Sequence, residues 1–346
     1  MGGYGPAVLW ERAIGAVYCL MLGLAAAKAN PKFLEGCGGW RHCLETHTGT
    51  EVPLVWFETW NATIQPKLDA LLATSRNQGE EGLPKPNGLL VVFAGDSTVI
   101  QQFQVLGEFL RLRYDFYPFT GPDAERMQNY EMTFGAPRDT AGSVTIVYYR
   151  VFEVCVLAKT NPHVQRAYAM YFGCGMHLLH LLPVQSPPMM KQALQSWVDY
   201  DTLLTKRVGE WRQVNPKIKL AFMSTHAIDE SKYVGEWKGV LEGYKARDPT
   251  FLDSCKRKFD QNLPQDSPLR RDLEKACIDT VFGEHGVQML NDRALHVMKA
   301  TNVPVVPAHM LVAGQQWATV VTDGRHYPYL VPMELFWFFN TLEGLP

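Results

Sequence analysis

Residues 91–103, VVFAGDSTVIQQF, carry the pattern that most directly indicates a fold. The apolar run that ends in VVFA predicts a buried strand, and Gly95 permits a sharp turn directly after it. Asp96, Ser97 and Thr98 then precede a helical pattern, and each of these side chains can accept from an unpaired N–H of a first helical turn. The stretch therefore predicts a strand, a turn and a helix, with Ser97 either a helix cap or a nucleophile.

Short apolar strands and helical segments alternate along the rest of the chain. Further strands are predicted in SVTIVYYRVFEV, AYAMYFG, KLAFMST and VPVVPA, and further helices in MMKQALQSWVDYDTLLTKRVGEWRQV, VQMLNDRALHVMKAT and PMELFWFFNTL. This alternation is typical of an α/β fold, in which helices cover both faces of a mainly parallel sheet. Ligands of such sheets bind outside the carboxyl ends of the strands, where Gly95-Asp96-Ser97 is predicted to lie.

The chain divides into three predicted segments. Residues 1–29 contain the uncharged run AIGAVYCLMLGLAAA after Arg12, which indicates a signal peptide or signal anchor, with an amphipathic or buried helix as the alternative. Residues 30–87 are interpreted as a lead-in packed on the main domain, with a helix around IQPKLDALLAT, and a linker rich in Gly and Pro. Residues 88–346 form the predicted main domain, with a polar insertion at about 228–280 that has helices of its own.

Charge and the N-terminal pattern limit the partners and the compartment. The formal net charge of −2 provides no excess of cations for phosphates, so nucleic acid is not an expected partner. Asn61-Ala62-Thr63 is a glycosylation sequon. We therefore expect a protein of the secretory pathway, in the Golgi lumen or secreted, that contacts a membrane only if an N-terminal anchor is retained.

The cysteines agree with an oxidising compartment. Of the seven cysteines, Cys19 lies in the apolar N-terminal run, and the others form an even set that is compatible with disulfides. The short-range candidate pairs are Cys37–Cys43 and Cys255–Cys277.

A second polar pattern, Asp323-Gly-Arg-His326, lies just before the last predicted helix. A serine hydroxyl becomes a good nucleophile when a base takes its proton, and that base is usually a histidine oriented by a carboxylate. At this spacing Asp323 can accept from the imidazole N–H of His326. Taken alone, the pattern is also typical of a surface turn, because Asp-Gly is a common turn pair.

The order of the two motifs, Gly-Asp-Ser after the first core strand and Asp-x-x-His before the last helix, resembles the SGNH or GDSL-type hydrolases. The resemblance covers residues 88–346 and implies a three-layer α/β/α sandwich with a central mainly parallel sheet. It also implies that Ser97 is the nucleophile, that His326 is the general base and that Asp323 orients the base.

The stretch FGCGMH at 172–177 departs from the commoner pattern of that superfamily, which has Gly-x-Asn-Asp and thus an asparagine as oxyanion donor. A strand that ends in Gly and then His is more similar to the PC-esterase branch, which includes trichome-birefringence-like polysaccharide O-acetyltransferases and the sialic acid O-acetyltransferase. The resemblance then implies that the Ser97 N–H holds the oxyanion, with Gly175 or His177 as further donors. A structural role is the alternative for His177.

Arg150 interrupts the apolar strand VYYRVFEV. A buried arginine is costly unless it is paired, so Arg150 is predicted either to pair with an acid such as Glu153 or to contact substrate at the site. No metal and no cofactor are predicted. The segment CGGWRHC at 37–43 has no second Cys/His pair at zinc spacing, and His177-x-x-His180 has no third ligand nearby.

The resemblance implies a serine acyl-ester enzyme, either an esterase or an O-acyltransferase, that acts on acylated carbohydrate through an acyl-enzyme. The two activities differ only in the final acceptor, water or a sugar hydroxyl. The expected partners are an acylated glycan or another small acyl ester, and an acyl donor if the enzyme is a transferase. The alternative is an inactive glycan-binding or structural protein that keeps the fold. The missing asparagine favours that alternative, and the Ser, Asp and His oppose it.

Overall fold

The computed structural model describes residues 62–77, 88–118, 129–151, 157–179, 187–315, 318–319, 324–327 and 330–343. Residues 63–346 belong to one compact unit. The predicted signal segment, most of the lead-in and Cys37–Cys43 lie outside the described residues. Within the described ranges, no helix is both long and apolar enough to cross a membrane.

The sheet has β1 (Leu89–Gly95) at its centre. The other described strands are β2 (Phe116–Pro118), β3 (Asn129–Phe134), β4 (Val144–Arg150), β5 (Ala169–Gly173), β6 (Lys219–Met223) and β7 (Val305–Val306), in the order β2-β3-β4-β1-β5-β6-β7. Strands β4, β1, β5, β6 and β7 are parallel, whereas β3 is antiparallel to β4 and β2 is antiparallel to β3. The predicted α/β class with a mainly parallel sheet is confirmed.

Helices alternate with these strands along the chain. They are α1 (Gln65–Asn77), α2 (Ser97–Arg113), α3 (Pro162–Arg166), α4 (Pro187–Val198), α5 (Tyr200–Val214), α6 (Gly235–Lys245), α7 (Pro249–Asn262), α8 (Leu273–Asp279), α9 (Glu284–Ala300), α10 (Ala308–Val312) and α11 (Val331–Glu343). Short 3-10 helices lie at Met176–Leu179, Glu230–Lys232 and Pro268–Arg271.

Helices cover both faces of the sheet. Successive side chains of a strand point to opposite sides, so each face presents apolar side chains to a helix. On one face Phe338 of α11 packs on Phe93 of β1 and Tyr171 of β5, with ring centroids 5.5 and 4.5 Å apart. On the other face Phe172 of β5 packs edge to face on Trp211 of α5, at 5.0 Å. The apolar runs that predicted strands are therefore buried on both sides, as parallel sheets require.

Three features of the chain outside β1–α2 differ from, or add to, the expected pattern. The long helix predicted for 189–214 is interrupted at Asp199, which separates α4 from α5. Strands β2 and β3 were not predicted. Helices α6, α7 and α8 lie within residues 228–280, and the predicted disulfide Cys255–Cys277 is confirmed between α7 and α8.

The strand order predicts a crevice beside β1. The chain runs from β1 to β4 on one side and then crosses to β5 on the other side, so the connections diverge between β1 and β5. Ligands of open α/β sheets bind outside the carboxyl ends of the strands at such a point. Here Gly95 of β1 pairs in register with Arg150 of β4 and with Gly173 of β5. The Gly-Asp-Ser turn therefore begins at the mouth of the crevice.

Candidate active site

The turn after β1 is tight because Gly95 has no side chain. A Cβ at this position would lie 2.3 Å from Val99 Cγ2 and 2.7 Å from the Gly173 carbonyl oxygen. From the other side the Tyr148 hydroxyl donates to the carbonyl oxygens of Gly95 and Asp96, at 2.8 and 3.1 Å. These contacts fix the first turn of α2 against the ends of the strands.

Asp96, and not Ser97, caps α2. The Asp96 carboxylate accepts from the backbone N–H of Thr98 at 2.9 Å and from the Thr98 hydroxyl at 2.7 Å, and Asp96 is buried. Ser97 is the first residue of the helix. Its Oγ is shielded from solvent and has no hydrogen-bond partner among the described residues. A buried hydroxyl without a partner costs about 1–3 kcal/mol of stability. Because Asp96 is the cap, capping does not explain the presence of a serine at position 97.

The loop after β5 faces this turn. Gly175 has φ +109°, a conformation that strongly favours glycine, and a Cβ here would lie 3.0 Å from Tyr200 Cε2. The Tyr200 hydroxyl donates to the Cys174 carbonyl oxygen at 3.1 Å. Cys174 is itself disulfide-bonded. The loop that leads to His177 is thus held by a buried tyrosine and by a covalent link.

The pKa of His177 reflects the charged groups near the loop after β5. Burial lowers the pKa of this imidazole, the Asp96 carboxylate opposes that shift, and three positive or protonatable groups lower the pKa further: Arg325, Arg150 and His326. His177 is therefore neutral at neutral pH and can donate from only one ring nitrogen. Arg150 and His326 therefore lie close enough to His177 to change its pKa, as does Asp96 after β1.

Arg150 is the last residue of β4 and is exposed. The expectation of an arginine inside an apolar strand is wrong, because β4 ends at this residue. Its predicted partner Glu153 lies outside the described residues. Arg150 is adjacent to Gly95 in the sheet and therefore lies at the carboxyl end of the parallel strands.

The segment that carries His326 is attached to the loop after β6. The Asp229 N–H donates to the Gly324 carbonyl oxygen at 2.7 Å, and the Tyr327 hydroxyl donates to the Ala227 carbonyl oxygen at 3.0 Å. Gly324 has φ +60°, and a Cβ would lie 2.2 Å from the Asp229 carbonyl oxygen. His326 is half-buried. Asp323, the predicted orienting acid, lies outside the described residues.

The sequence did not predict that His226 and Glu334, two further candidate functional residues, form a pair. His226, just after β6, and Glu334, in the first turn of α11, are both fully buried, and His226 Nε2 lies 2.7 Å from Glu334 Oε1. His226 Nδ1 lies 3.0 Å from the Arg325 carbonyl oxygen. Nδ1 is hydrogen-bonded to the Arg325 carbonyl and Nε2 faces Glu334, so neither ring nitrogen of His226 is directed at Ser97. The only signals in the sequence were a histidine at a strand end and a lone glutamate in the apolar run ELFWFF.

No cluster of three or more His, Cys, Asp or Glu side chains that could hold a metal ion occurs in the part of the chain that the structure describes. The polar groups at the carboxyl edge are a serine, histidines and arginines with the capping Asp96. This set can bind an anionic or polar group and transfer a proton.

No protein-family model matches the chain, and no curated protein sequence matches it significantly. What is established is an α/β protein with a mainly parallel sheet and polar side chains at the carboxyl ends of its central strands.

Proposed function

We propose that the protein is a serine acyl-ester enzyme of the SGNH type, an esterase or an O-acyltransferase, with Ser97 as nucleophile. The observation that carries the proposal is the Ser97 hydroxyl. It lies at the mouth of the crevice, it is buried, and Asp96 has taken the capping role, so no partner is found for Oγ among the described residues. A buried hydroxyl without a partner requires an explanation, and a catalytic role is one that the position of Ser97 supports.

In the proposed reaction Ser97 Oγ attacks the carbonyl carbon of an ester while His326 takes the hydroxyl proton. The tetrahedral intermediate collapses, the C–O bond to the leaving alcohol breaks, and that alcohol receives the proton from His326. Water or a sugar hydroxyl then attacks the acyl-enzyme with His326 as base, which releases the acyl product and restores Ser97. Asp323 orients His326.

The oxyanion donors are the backbone N–H of Ser97 and groups of the loop after β5. The N–H groups in the first turn of a helix have no partner within the helix, and the dipole of the helix favours negative charge there. Asp96 already accepts from the Thr98 N–H, and the first helical bond runs from the Ile100 N–H to the Asp96 carbonyl, so the Ser97 N–H is one of two donors that remain at this end of α2. Gly175 N–H or the neutral His177 ring supplies the second donor, and each donor contributes about 3–4 kcal/mol to transition-state stabilisation.

The substrate is proposed to be an acylated glycan, and Arg150 is its contact at the rim. An exposed guanidinium beside the crevice can donate several hydrogen bonds to sugar oxygens or to a carboxylate. Since Ser97 Oγ is shielded from solvent, a neighbouring side chain must move aside before an ester reaches it.

A fluorophosphonate probe tests the proposal, because it reacts with activated serines. Wild type should be labelled, and Ser97→Ala and His326→Ala should not. Ser267→Ala is the matched control, since Ser267 caps a 3-10 helix in the 228–280 segment and should leave labelling unchanged. If folded wild-type protein is not labelled and does not hydrolyse an aryl acetate, the proposal is refuted. If the protein is active, it is incubated with an acetylated oligosaccharide and a second glycan. Release of free acetate indicates hydrolysis, and acetylation of the second glycan indicates transfer.

The shielded Ser97 Oγ also favours a second candidate, an inactive glycan-binding protein that keeps the fold. That candidate predicts glycan binding that is unchanged in Ser97→Ala together with no labelling of wild type. The same set of variants therefore separates the two functions.

A further inference from the structure

His226 lies between two hydrogen-bond acceptors in a site that excludes water. Nδ1 lies 3.0 Å from the Arg325 carbonyl oxygen, and Nε2 lies 2.7 Å from Glu334 Oε1. A carbonyl oxygen can only accept, so Nδ1 carries a proton. Neither Nε2 nor Glu334 Oε1 has the geometry of a hydrogen bond, but two lone pairs 2.7 Å apart would repel, so one of these two atoms must carry a second proton.

The surroundings favour that second proton on the imidazole. The Gln102 side-chain amide donates to the other carboxylate oxygen of Glu334, a contact that stabilises the ionised acid. Asp96, at the turn after β1, adds a second negative charge nearby. We propose that His226 is a buried imidazolium, held by Glu334, that positions the segment carrying His326 through the Arg325 carbonyl oxygen.

The groups that face this pair come from four other elements. They are Asp96 from the β1–α2 turn, Gln102 from α2, Tyr171 from β5 and Tyr327 from the His326 segment, whose ring stands edge-on to His226 at 5.5 Å. Burial alone would lower the pKa of His226. The charge and hydrogen bond of Glu334, the Arg325 carbonyl and the charge of Asp96 outweigh burial, so the pKa of His226 is raised.

The arrangement has a mechanical consequence for the proposed base. Arg325 is directly bonded to His326, so the His226 hydrogen bond fixes the backbone at the base itself. Loss of either ring proton breaks one end of the link between α11 and the His326 segment. Glu334 and His226 are thus positioning residues, and the reaction they support rests on the proposed function of Ser97 and His326.

Nuclear magnetic resonance of protein with 15N-labelled histidine tests the protonation state directly. We expect both His226 ring nitrogens to carry protons at pH 7 in wild type, and Glu334→Gln to leave one ring proton. Asp279→Asn is the control, because Asp279 pairs with a different histidine, the exposed His285, at 3.0 Å, and its substitution should leave the His226 signals unchanged. A single ring proton on wild-type His226 at pH 7 overturns the proposal, and it does so even if Glu334→Gln does not fold.

The positioning role is tested by kinetics on the same proteins. Glu334→Gln should lower kcat by about 10- to 100-fold with little change in KM, because a small displacement of the base slows proton transfer without removing substrate contacts. Unchanged kcat in a variant whose His226 has lost a proton would overturn the positioning role. If Ser97 proves unreactive in wild type, the proposed function fails, while the protonation state of His226 remains decided by the nuclear magnetic resonance result.

Discussion

Replacing Ser97 should separate stability from function. In Ser97→Ala the buried hydroxyl is removed, no hydrogen bond made by the described residues is lost, and alanine is a better helix former than serine. A buried polar group without a partner costs about 1–3 kcal/mol, so the free energy of unfolding should stay the same or rise by about 1 kcal/mol. The same substitution should abolish labelling by a fluorophosphonate.

Replacing the neighbouring Asp96 should do the opposite. Asp96→Ala removes the cap of α2 and leaves the Thr98 N–H and hydroxyl without their acceptor in a buried site. Loss of a cap costs about 1–2 kcal/mol, and the two stranded donors raise the expected loss to about 3 kcal/mol. Asp96→Asn keeps an oxygen that can accept from the Thr98 N–H and should recover much of that stability.

Urea unfolding of the three variants and wild type, followed by circular dichroism at pH 7, measures these differences. The expected gap between Ser97→Ala and Asp96→Ala is about 3–4 kcal/mol. Should Ser97→Ala lose 1 kcal/mol or more, the serine hydroxyl makes a structural contact and the interpretation of an unused hydroxyl is refuted.

Three further predictions concern the disulfide, the buried ion pair and the turn. Replacing both Cys255 and Cys277 by Ala should lower the free energy of unfolding by about 3 kcal/mol, since the bridge closes a loop with a sequence separation of 22. Glu334→Gln should destabilise the protein most at acid pH: the folded pKa of His226 is raised, so the stability from its pairing is fully present below the unfolded pKa of about 6.5 and is lost as pH rises through the folded pKa. Gly95→Ala should cost about 3 kcal/mol and abolish labelling, because its Cβ would overlap Val99.

Each of these predictions has a control or a contradicting outcome. Wild type and the double cysteine variant are compared without reductant, because reductant would also break the disulfide of Cys174, and equal stability of the two proteins would contradict the first prediction. A stability difference between wild type and Glu334→Gln that grows with pH would contradict the second. Gly239→Ala is the control for the third, because nothing lies within 4 Å of a Cβ there, and it should raise stability by about 0.5–1 kcal/mol.

The strand, turn and helix at residues 89–113 could be predicted because their causes are local. An apolar run, a glycine and a capping aspartate follow one another, and each determines its own backbone conformation. The one error of detail was to leave open whether Ser97 is the cap. Sequence does not distinguish adjacent capping side chains, since only the backbone at each position decides which oxygen reaches the N–H.

Strands β2 and β3 could not be predicted in the same way. β2 has three residues and includes Pro118, and β3 contains Asn129 and Glu131 among its six residues. Their extended conformation depends on pairing with β4, a contact between segments that no local pattern encodes.

The His226–Glu334 pair illustrates the same limit at the site. A lone glutamate in an apolar helix suggests an exposed position, because a buried carboxylate is costly. Only the fold brings His226 and Gln102 to Glu334 and compensates that cost.

The proposed reaction requires that Ser97 forms an acyl-enzyme. The most direct measurement is to incubate the protein with an activated acetyl ester, quench in acid and locate the added acetyl group by peptide mass spectrometry. We predict a single acetyl group on Ser97 that accumulates in wild type, disappears on incubation without ester and is absent from His326→Ala. Acetylation that avoids Ser97, or that is equally fast in His326→Ala, would contradict the account.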